Sequence, residues 1–515
     1  MTTAILIVLA LLLLILLAIL IGRLIFPLPP LENRTPSFAL PASTETSLGQ
    51  RTLEASEIHP GLSGFIPLLS GYDALGSRLK LIEHASASID IQYYIWKDDI
   101  SGLLMAKALL DAARRGVRVR LLLDDNGIPG LDGKLAALNS AENLDVRLFN
   151  PSTIRRPKYL GYALDFPRMN RRMHNKSLIV DGAAAIIGGR NIGDEYFQVG
   201  DVDFYIDLDV LAVGPIVRDT AEMFDRYWNS DSVHPFENIV KVKGDLAALR
   251  ANVDQAAAST EGQTVISDIV TSVEHFERRQ ISPEWTEITL YADDPKKGLA
   301  KATKDGLMIT RLTEIIGGVQ RRLDLVSAYF VPGKTGMKIF SNLAKNGREV
   351  HILTNALNTT DVLVVHAGYT KYRRKLLKAG VNLFELKLRA GKSPGEEELP
   401  RFGLSGASLH AKTFAIDEER VFIGSFNFDP RSSLLNCEMG FLIDSKSLAH
   451  MTSAVFNGPV EMMSYRPVLT VEESMVWTEK RTEGRDRIYQ QEPGATWFQQ
   501  ISIVIIGRLP VEWML

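Results

Sequence analysis

H-N-K-S-L-I-V-D-G-A-A-A-I-I-G-G-R-N, residues 174 to 191, is the stretch from which the rest of the chain is read. His174 is followed by Lys176, Asp181, Gly188, Gly189 and Asn191, and the same gaps return at His410, Lys412, Asp417, Gly424, Ser425 and Asn427. Shared residues at these fixed gaps should match by chance at roughly one start position in 10⁶ to 10⁷, so the chain carries a duplication. Residues two apart on a strand share a face, so His174 and Lys176 project together. Asp181-Gly182 reads as the turn closing that strand and Ala183 to Ile187 as its hairpin partner. Gly188 and Gly189 would let backbone approach an anion, and Asn191 would supply an amide donor beside it.

Two His, two Lys and two Asn make a cationic, donor-rich site suited to a phosphoryl group. At this point the chain resembles the phospholipase D superfamily, whose members carry two HxKxxxxD motifs converging on one active site. The resemblance runs from about residue 65 to 465. The flanks I-D-I-Q-Y-Y-I-W (89 to 96), L-L-L-D-D-N (121 to 126), N-R-R-M-H-N-K (170 to 176) and G-G-R-N-I-G-D-E-Y-F (188 to 197), with the closing P-V-E-W-M-L, are most similar to the bacterial cardiolipin synthase branch, type C above all. That resemblance implies a membrane-associated transferase moving phosphatidyl groups between lipids, in the bacterial inner membrane.

The chemistry it implies runs through a phosphohistidine. One of His174 and His410 attacks phosphorus; the other protonates the leaving oxygen and then deprotonates the acceptor hydroxyl. The sequence leaves the assignment open, with His174 the first choice as nucleophile. Lys176, Lys412, Asn191 and Asn427 would surround the non-bridging oxygens, with Ser425 and Gly189 as further phosphate-binding positions. Gly189 faces Ser425 across the repeat, so the first half has one hydroxyl donor fewer. A nucleophilic histidine needs its other nitrogen held by an acceptor. The resemblance places that orienter downstream of each motif, at Asp207 and Glu438, with Asp209 as fallback. Asp181 and Asp417 belong to the motif set but lie an odd number of residues from their histidines, near a turn, which suggests a structural role. The scheme requires no metal and no cofactor.

Around the motifs, two strand-helix series follow one plan. The first has a helix over 73 to 85, a strand over 88 to 96, a helix over 102 to 115 and a strand over 117 to 124; the second repeats this over 307 to 322, 323 to 330, 336 to 345 and 350 to 354. Asp90 to Asp324 is 234 residues, Gly116 to Gly347 is 231 and His174 to His410 is 236, a duplication with small indels. Each half is expected to be an α/β unit, a mixed, largely parallel sheet with helices on both faces. The family fold implies that the halves pair about a pseudo-twofold.

Residues 4 to 22 hold no polar side chain, and nineteen residues of helix span about 28 Å, close to a bilayer core. With no Lys or Arg before the run and no A-x-A site after it, an uncleaved anchor is expected over 1–25 rather than a secretory signal. Arg23, Arg34 and Arg51 follow the run, which by the positive-inside rule favours a cytoplasmic catalytic domain, although long folded domains blur that rule. Residues 26–60 read as a Pro/Ser/Thr-rich tether, 61–240 as the first half, 241–290 as a connecting helical segment, 291–465 as the second half and 466–515 as an extension. Its apolar stretch from Trp497 is too short to span a bilayer and reads equally as an interfacial segment or a helix packed on the core. Arg155, Arg156, Lys158, Arg168, Arg171 and Arg172 crowd the approach to His174 and are expected to attract anionic headgroups.

A net charge of -3 gives no reason to expect nucleic acid, and Cys437, the only cysteine, excludes disulfide frameworks and reads as a buried thiol. The expected partners are phospholipids and the membrane. Hydrolysis to phosphatidic acid is the rival reading; a nuclease or a membrane scaffold with a vestigial site ranks below it.

Overall fold

The alternating strand and helix patterns produce two nine- and ten-stranded sheets, built on one plan. The computed structural model describes residues 2–32, 34–200, 204–278, 282–360, 362–387, 408–481, 484–509 and 512. In the first sheet Ser63–Leu68, Asp209–Val213, Ala184–Gly188, Ser177–Val180, Ser88–Tyr93, Arg118–Asp124 and Leu144–Phe149 lie side by side in that order. The second repeats it with Ile288–Ala292, Met439–Ile443, Arg420–Gly424, Lys412–Ile416, Arg322–Ser327, Glu349–Asn355 and Asn382–Leu386. The α/β class, the mixed sheets and the duplication match the expectation. Parallel pairing is less extensive than expected: within the two large sheets, among the described residues, only the three strands ending at Tyr93, Asp124 and Phe149, and their three counterparts, run parallel. Crossover helices permit parallel neighbours only there, whereas each motif strand returns through a three-residue hairpin connection and must pair antiparallel.

Side chains alternate across these strands. Ile91, Leu121, Leu178 and Ile186 face the helices Gly71–His84 and Ile100–Arg114. Ile179, Ala185, Ile187 and Val210 face the other way and share one core with Ala415, Val421, Ile423 and Met439 of the second sheet. The halves are therefore welded along their inner faces, which brings the ends of the two motif strands to a common cleft.

Several segment boundaries are blurred by this packing. The connecting helices Leu246–Ala258 and Thr260–Arg278 bury Leu249, Val253, Val265 and Ile269 in the first half's core. Residue 290 falls inside strand Ile288–Ala292, and residue 465 inside strand Ser464–Leu469, which continues the second sheet. The segment read as a tether is docked on the first half: Arg34 donates to the carbonyls of Ser230 (2.6 Å) and Val233 (2.8 Å), and Ala39 N to the Asp225 carboxylate, before helix Ser47–Ile58. Extended backbone rich in Pro and Ser has unpaired polar groups, and these satisfy them.

Helix Thr2–Ile25 is apolar and exposed from Ile5 onward, long enough to cross a bilayer. The C-terminal helix Trp497–Arg508 packs on the domain through one residue and leaves apolar side chains outward. Ile503 is buried against Leu357 and Ala367, while Trp497, Phe498, Ile501, Val504 and Ile505 face outward; Trp513 and Leu515 lie outside the described residues.

Candidate active site

Each motif begins where a strand of one half hands its backbone to the other half. His174 N donates to Cys437 O and Cys437 N to Arg172 O, both at 2.8 Å. In the pseudo-equivalent place Ser408–Leu409 pairs in parallel with Tyr205–Ile206, and His410 N donates to Ile206 O (2.8 Å). Two short ladders thus lay each histidine beside the carboxylate-bearing segment of the opposite half.

The carboxylates consequently cross over. His174 Nδ1 lies 2.8 Å from Glu438 Oε2, and His410 Nδ1 lies 2.5 Å from Asp207 Oδ2. Asp207 and Glu438 were expected downstream of each motif, and they are; the structure adds that each serves the other half's histidine. The fallback Asp209 is engaged elsewhere, paired at 2.8 Å with buried Arg78 and accepting from Arg190 N. Both imidazoles are only 8% exposed. Burial depresses the basicity of each despite its carboxylate, His174 to about 4 and His410 to about 3, and Lys412 pushes His410 further the same way. The rings are neutral near pH 7, with Nδ1–H donated to a carboxylate and Nε2 left as the lone-pair nitrogen.

Gly189 and Ser425 do not occupy the phosphate-facing places expected of them. A Cβ on Gly189 would lie 2.1 Å from Asp207 Oδ1, so the anion its bare backbone accommodates is the orienting carboxylate. Ser425 Oγ donates to Glu438 Oε2 at 2.5 Å.

Lys176 Nζ donates to its own motif's His174 O (2.6 Å), and Lys412 Nζ lies 2.9 Å from His410 Nδ1. Burial brings Lys176 down to about 7, with Lys412 adding to the fall and Glu438 opposing it. The charge of Lys412 is close enough to be felt at Lys176, so the two motif lysines border one space. Asn191 Oδ1 accepts from Ile95 N (3.2 Å), leaving its amide nitrogen beside the Tyr196 hydroxyl. Asn427 Oδ1 is buried without a protein partner, so that amide can orient to suit a ligand.

Asp181 and Asp417 lie at the far end of their strands, roughly 20 Å of extended chain from the histidines. Both have positive φ (52° and 54°), as does the residue that follows each, giving the twisted turn that strand hairpins favour. Their carboxylates gather three successive amides each: Ser86, Ala87 and Ser88 at Asp181, and Gln320, Arg321 and Arg322 at Asp417. They pin the motif strand to the start of its βαβ neighbour.

The basic cluster is mostly neutralised rather than open to headgroups. Arg155 pairs with Asp125 and Asp132, Lys158 with Asp125, Arg168 with Asp165, and Arg172 is buried on Asp124. Arg171 donates to Leu434 O at 2.9 Å. Asp165 lies three residues before Arg168 on the same segment, whereas Asp124, Asp125 and Asp132 come from the end of strand Arg118–Asp124 and the turn and helix after it, too far along the chain for spacing to suggest those pairs. Sequence reading also missed the aromatic walls. Tyr94 stands edge-on to His174 (5.1 Å between ring centres) and Tyr196 edge-on to His410 (5.2 Å); Tyr205 flanks His410 too. Tyr94 and Tyr196 lie in the quoted flanks 89 to 96 and 188 to 197, and their aromatic content was the available signal. Cys437 is fully buried, and its thiol is pushed up to about 12 by burial, with Asp293 adding to the rise. Among the described residues no group of three or more His, Cys, Asp or Glu is arranged to hold a metal ion.

Paired imidazoles held by carboxylates, with two lysines between duplicated halves, define a phosphodiester-transfer enzyme of the phospholipase D class. The profile of the family described as cardiolipin synthase, PLD-like domain, matches residues 79–228 and 312–458, and the chain belongs to that family. Cardiolipin synthase C of Escherichia coli K12 is 43% identical over 471 residues, covering 91% of this chain and 99% of that protein. Cardiolipin synthase B of Shigella flexneri is 26% identical over 74% of this chain and 76% of its own length. Phosphatidylserine synthase of Haemophilus influenzae Rd KW20 has the same fold, with a TM-score of 0.56 at 12% identity, covering 90% of this chain and all of that one.

Proposed function

We propose that the chain forms cardiolipin by moving a phosphatidyl group from a donor phospholipid to a hydroxyl of phosphatidylglycerol, in the inner membrane of a bacterium. The crossed histidine-carboxylate pairs carry this reading, because they free two Nε2 atoms for one phosphorus and set the tautomer of both. Lys412 against His410 Nδ1 makes that ring the poorer nucleophile and the stronger acid. The anionic phosphate entering between the rings favours a protonated His410, whose added proton sits on Nε2; His174 Nε2 then attacks phosphorus while His410 gives that proton to the departing alcohol oxygen, breaking the P–O bond and leaving a phosphatidyl-histidine. His410 then takes the proton of the acceptor hydroxyl, whose oxygen attacks phosphorus and displaces His174. Lys176, Lys412, Asn191 and Asn427 hold the non-bridging oxygens where charge grows in the transition state. The low exposure of both rings favours a bound alcohol over bulk water as acceptor.

The test is turnover in vesicles containing phosphatidylglycerol and phosphatidylethanolamine, each supplied in turn with an isotopic headgroup. Cardiolipin and one labelled alcohol are expected, with none from His174→Ala or His410→Ala. Phosphatidic acid as the sole product would replace transfer with hydrolysis, and alkaline quenching of the wild-type enzyme during turnover of lipid labelled in its phosphatidyl group should trap label on the protein, with none on His174→Ala.

A further inference from the structure

Segment Tyr159–Met169, helical on either side of a kink at Asp165, touches the membrane anchor at one end of its surface and the active-site wall at another. Arg23, in the last turn of the anchor, donates to Leu164 O (2.8 Å) and pairs with Asp165 (3.1 Å), and Gly22 is closed against the Leu164 side chain. Tyr162, half-buried on the same segment, feels the charges of Arg172, Asp124 and Arg431 and lies near Tyr94, the ring that flanks His174. Between these contacts Tyr159, Leu160 and Phe166 turn outward, 70%, 42% and 41% exposed. A cavity of about 310 Å³ opens at the junction, lined by Arg23, Pro27, Ser152, Thr153, Leu164 and Arg168. Arg168 Nη1 is buried there without a partner.

An anchor that crosses the bilayer must surface within a turn or so of Arg23, so whatever is clamped to Gly22 and Arg23 sits at the depth of the headgroups. Aromatic and apolar side chains exposed at that depth have a ready solvent in the acyl boundary, and the Arg168 Nη1 that Asp165 leaves unsatisfied could take lipid phosphate. We propose that segment Tyr159–Met169 lies in the lipid-water boundary, with Tyr159, Leu160 and Phe166 dipped into the leaflet, and forms the threshold over which a lipid's phosphate passes from the bilayer past Tyr162 to His174. The proposal rests on the lipid substrate argued above, but its placement can be read without any turnover.

Cys437 is fully buried, so a cysteine introduced at Tyr159→Cys or Phe166→Cys in the full chain takes up an environment-sensitive dye selectively. In phosphatidylethanolamine/phosphatidylglycerol vesicles both labels should shift to the blue and be quenched by lipid-borne nitroxides, while a label at Val242→Cys stays in water. Labels at 159 and 166 that both read as aqueous overturn the proposal. The double variant Leu160→Ser/Phe166→Ser should lower turnover of vesicle lipid about tenfold and leave turnover of a short-chain phospholipid monomeric in detergent within about twofold. Equal loss on both substrates also overturns it. Inserted labels with no cardiolipin formed would sink the transferase reading and leave the placement standing.

Discussion

At Lys176 and the two histidines, burial sets the working pH. The free protein needs neutral imidazole to attack and charged lysine to hold phosphate. As pH falls through about 4, His174 takes up its proton and activity is lost; as pH rises through about 7, Lys176 gives up its proton and activity is lost again. The profile of kcat/KM should therefore be a bell between those limits. In kcat the alkaline limb should lie higher, since bound phosphate favours the ammonium. Lys176→Arg, which stays charged, should remove the alkaline limb from kcat/KM at a reduced plateau, whereas an unchanged limb would take Lys176 out of phosphate binding. The orienting carboxylates give a second prediction. Gly189→Ala should drive Asp207 off His410 and reduce kcat on the order of 10²-fold or more in a folded protein, while Ser425→Ala, which deletes one hydrogen bond behind Glu438, should cost about tenfold. Turnover combined with thermal unfolding of each variant checks both. The motif residues themselves were legible because repetition at equal gaps singled them out. Their partners were not: Asp207 and Glu438 could be placed downstream of the motifs, but which ring each holds depends on how two distant halves meet.

Among the elements, the motif hairpin joins the chemistry to the sheet. Asp181 and Asp417 close its turn and collect three amides from the neighbouring connection, far from phosphorus. Asp181→Ala should accordingly lower stability by about 2–3 kcal/mol, visible as a melting point lower by several degrees, while activity per folded molecule stays near wild type. A loss of turnover without a loss of stability would give the motif aspartate a direct part in the chemistry. Helix and strand positions were close to expectation wherever the apolar period was long: the helix expected over 102 to 115 is Ile100–Arg114, and the strand over 117 to 124 is Arg118–Asp124. The helix expected over 307 to 322 ends at Gly317, because Gly317 and Gly318 stop it before strand Arg322–Ser327 begins. The extent of parallel pairing was overestimated, since a hairpin strand and a crossover strand carry the same buried apolar pattern.

For the molecule as a whole, the C-terminal extension is tied to the second half by a buried charge cluster. Arg373 meets Glu385 (3.0 Å) and Glu492 (2.6 Å), His366 meets Glu492 (2.5 Å), and Trp477 Nε1 donates to Glu385 (2.9 Å). Glu492→Ala leaves Arg373 with Glu385 alone and takes the carboxylate from His366, so it should cost about 1–3 kcal/mol, read as loosened protease protection of residues after 465, with the pH profile of turnover unmoved. A changed profile would instead couple the extension to the catalytic cleft. By itself the sequence determined the duplication, the α/β class, the apolar anchor and the two histidine-lysine motifs, since periodicity and repetition are properties of the chain's order. Only the tertiary structure decided that each histidine is held by the opposite half, that Gly189 and Ser425 serve carboxylates rather than phosphate, and that the basic approach is largely neutralised. Those outcomes depend on which side chains are desolvated together across an interface between residues more than two hundred positions apart, and spacing along the chain carries no record of that meeting.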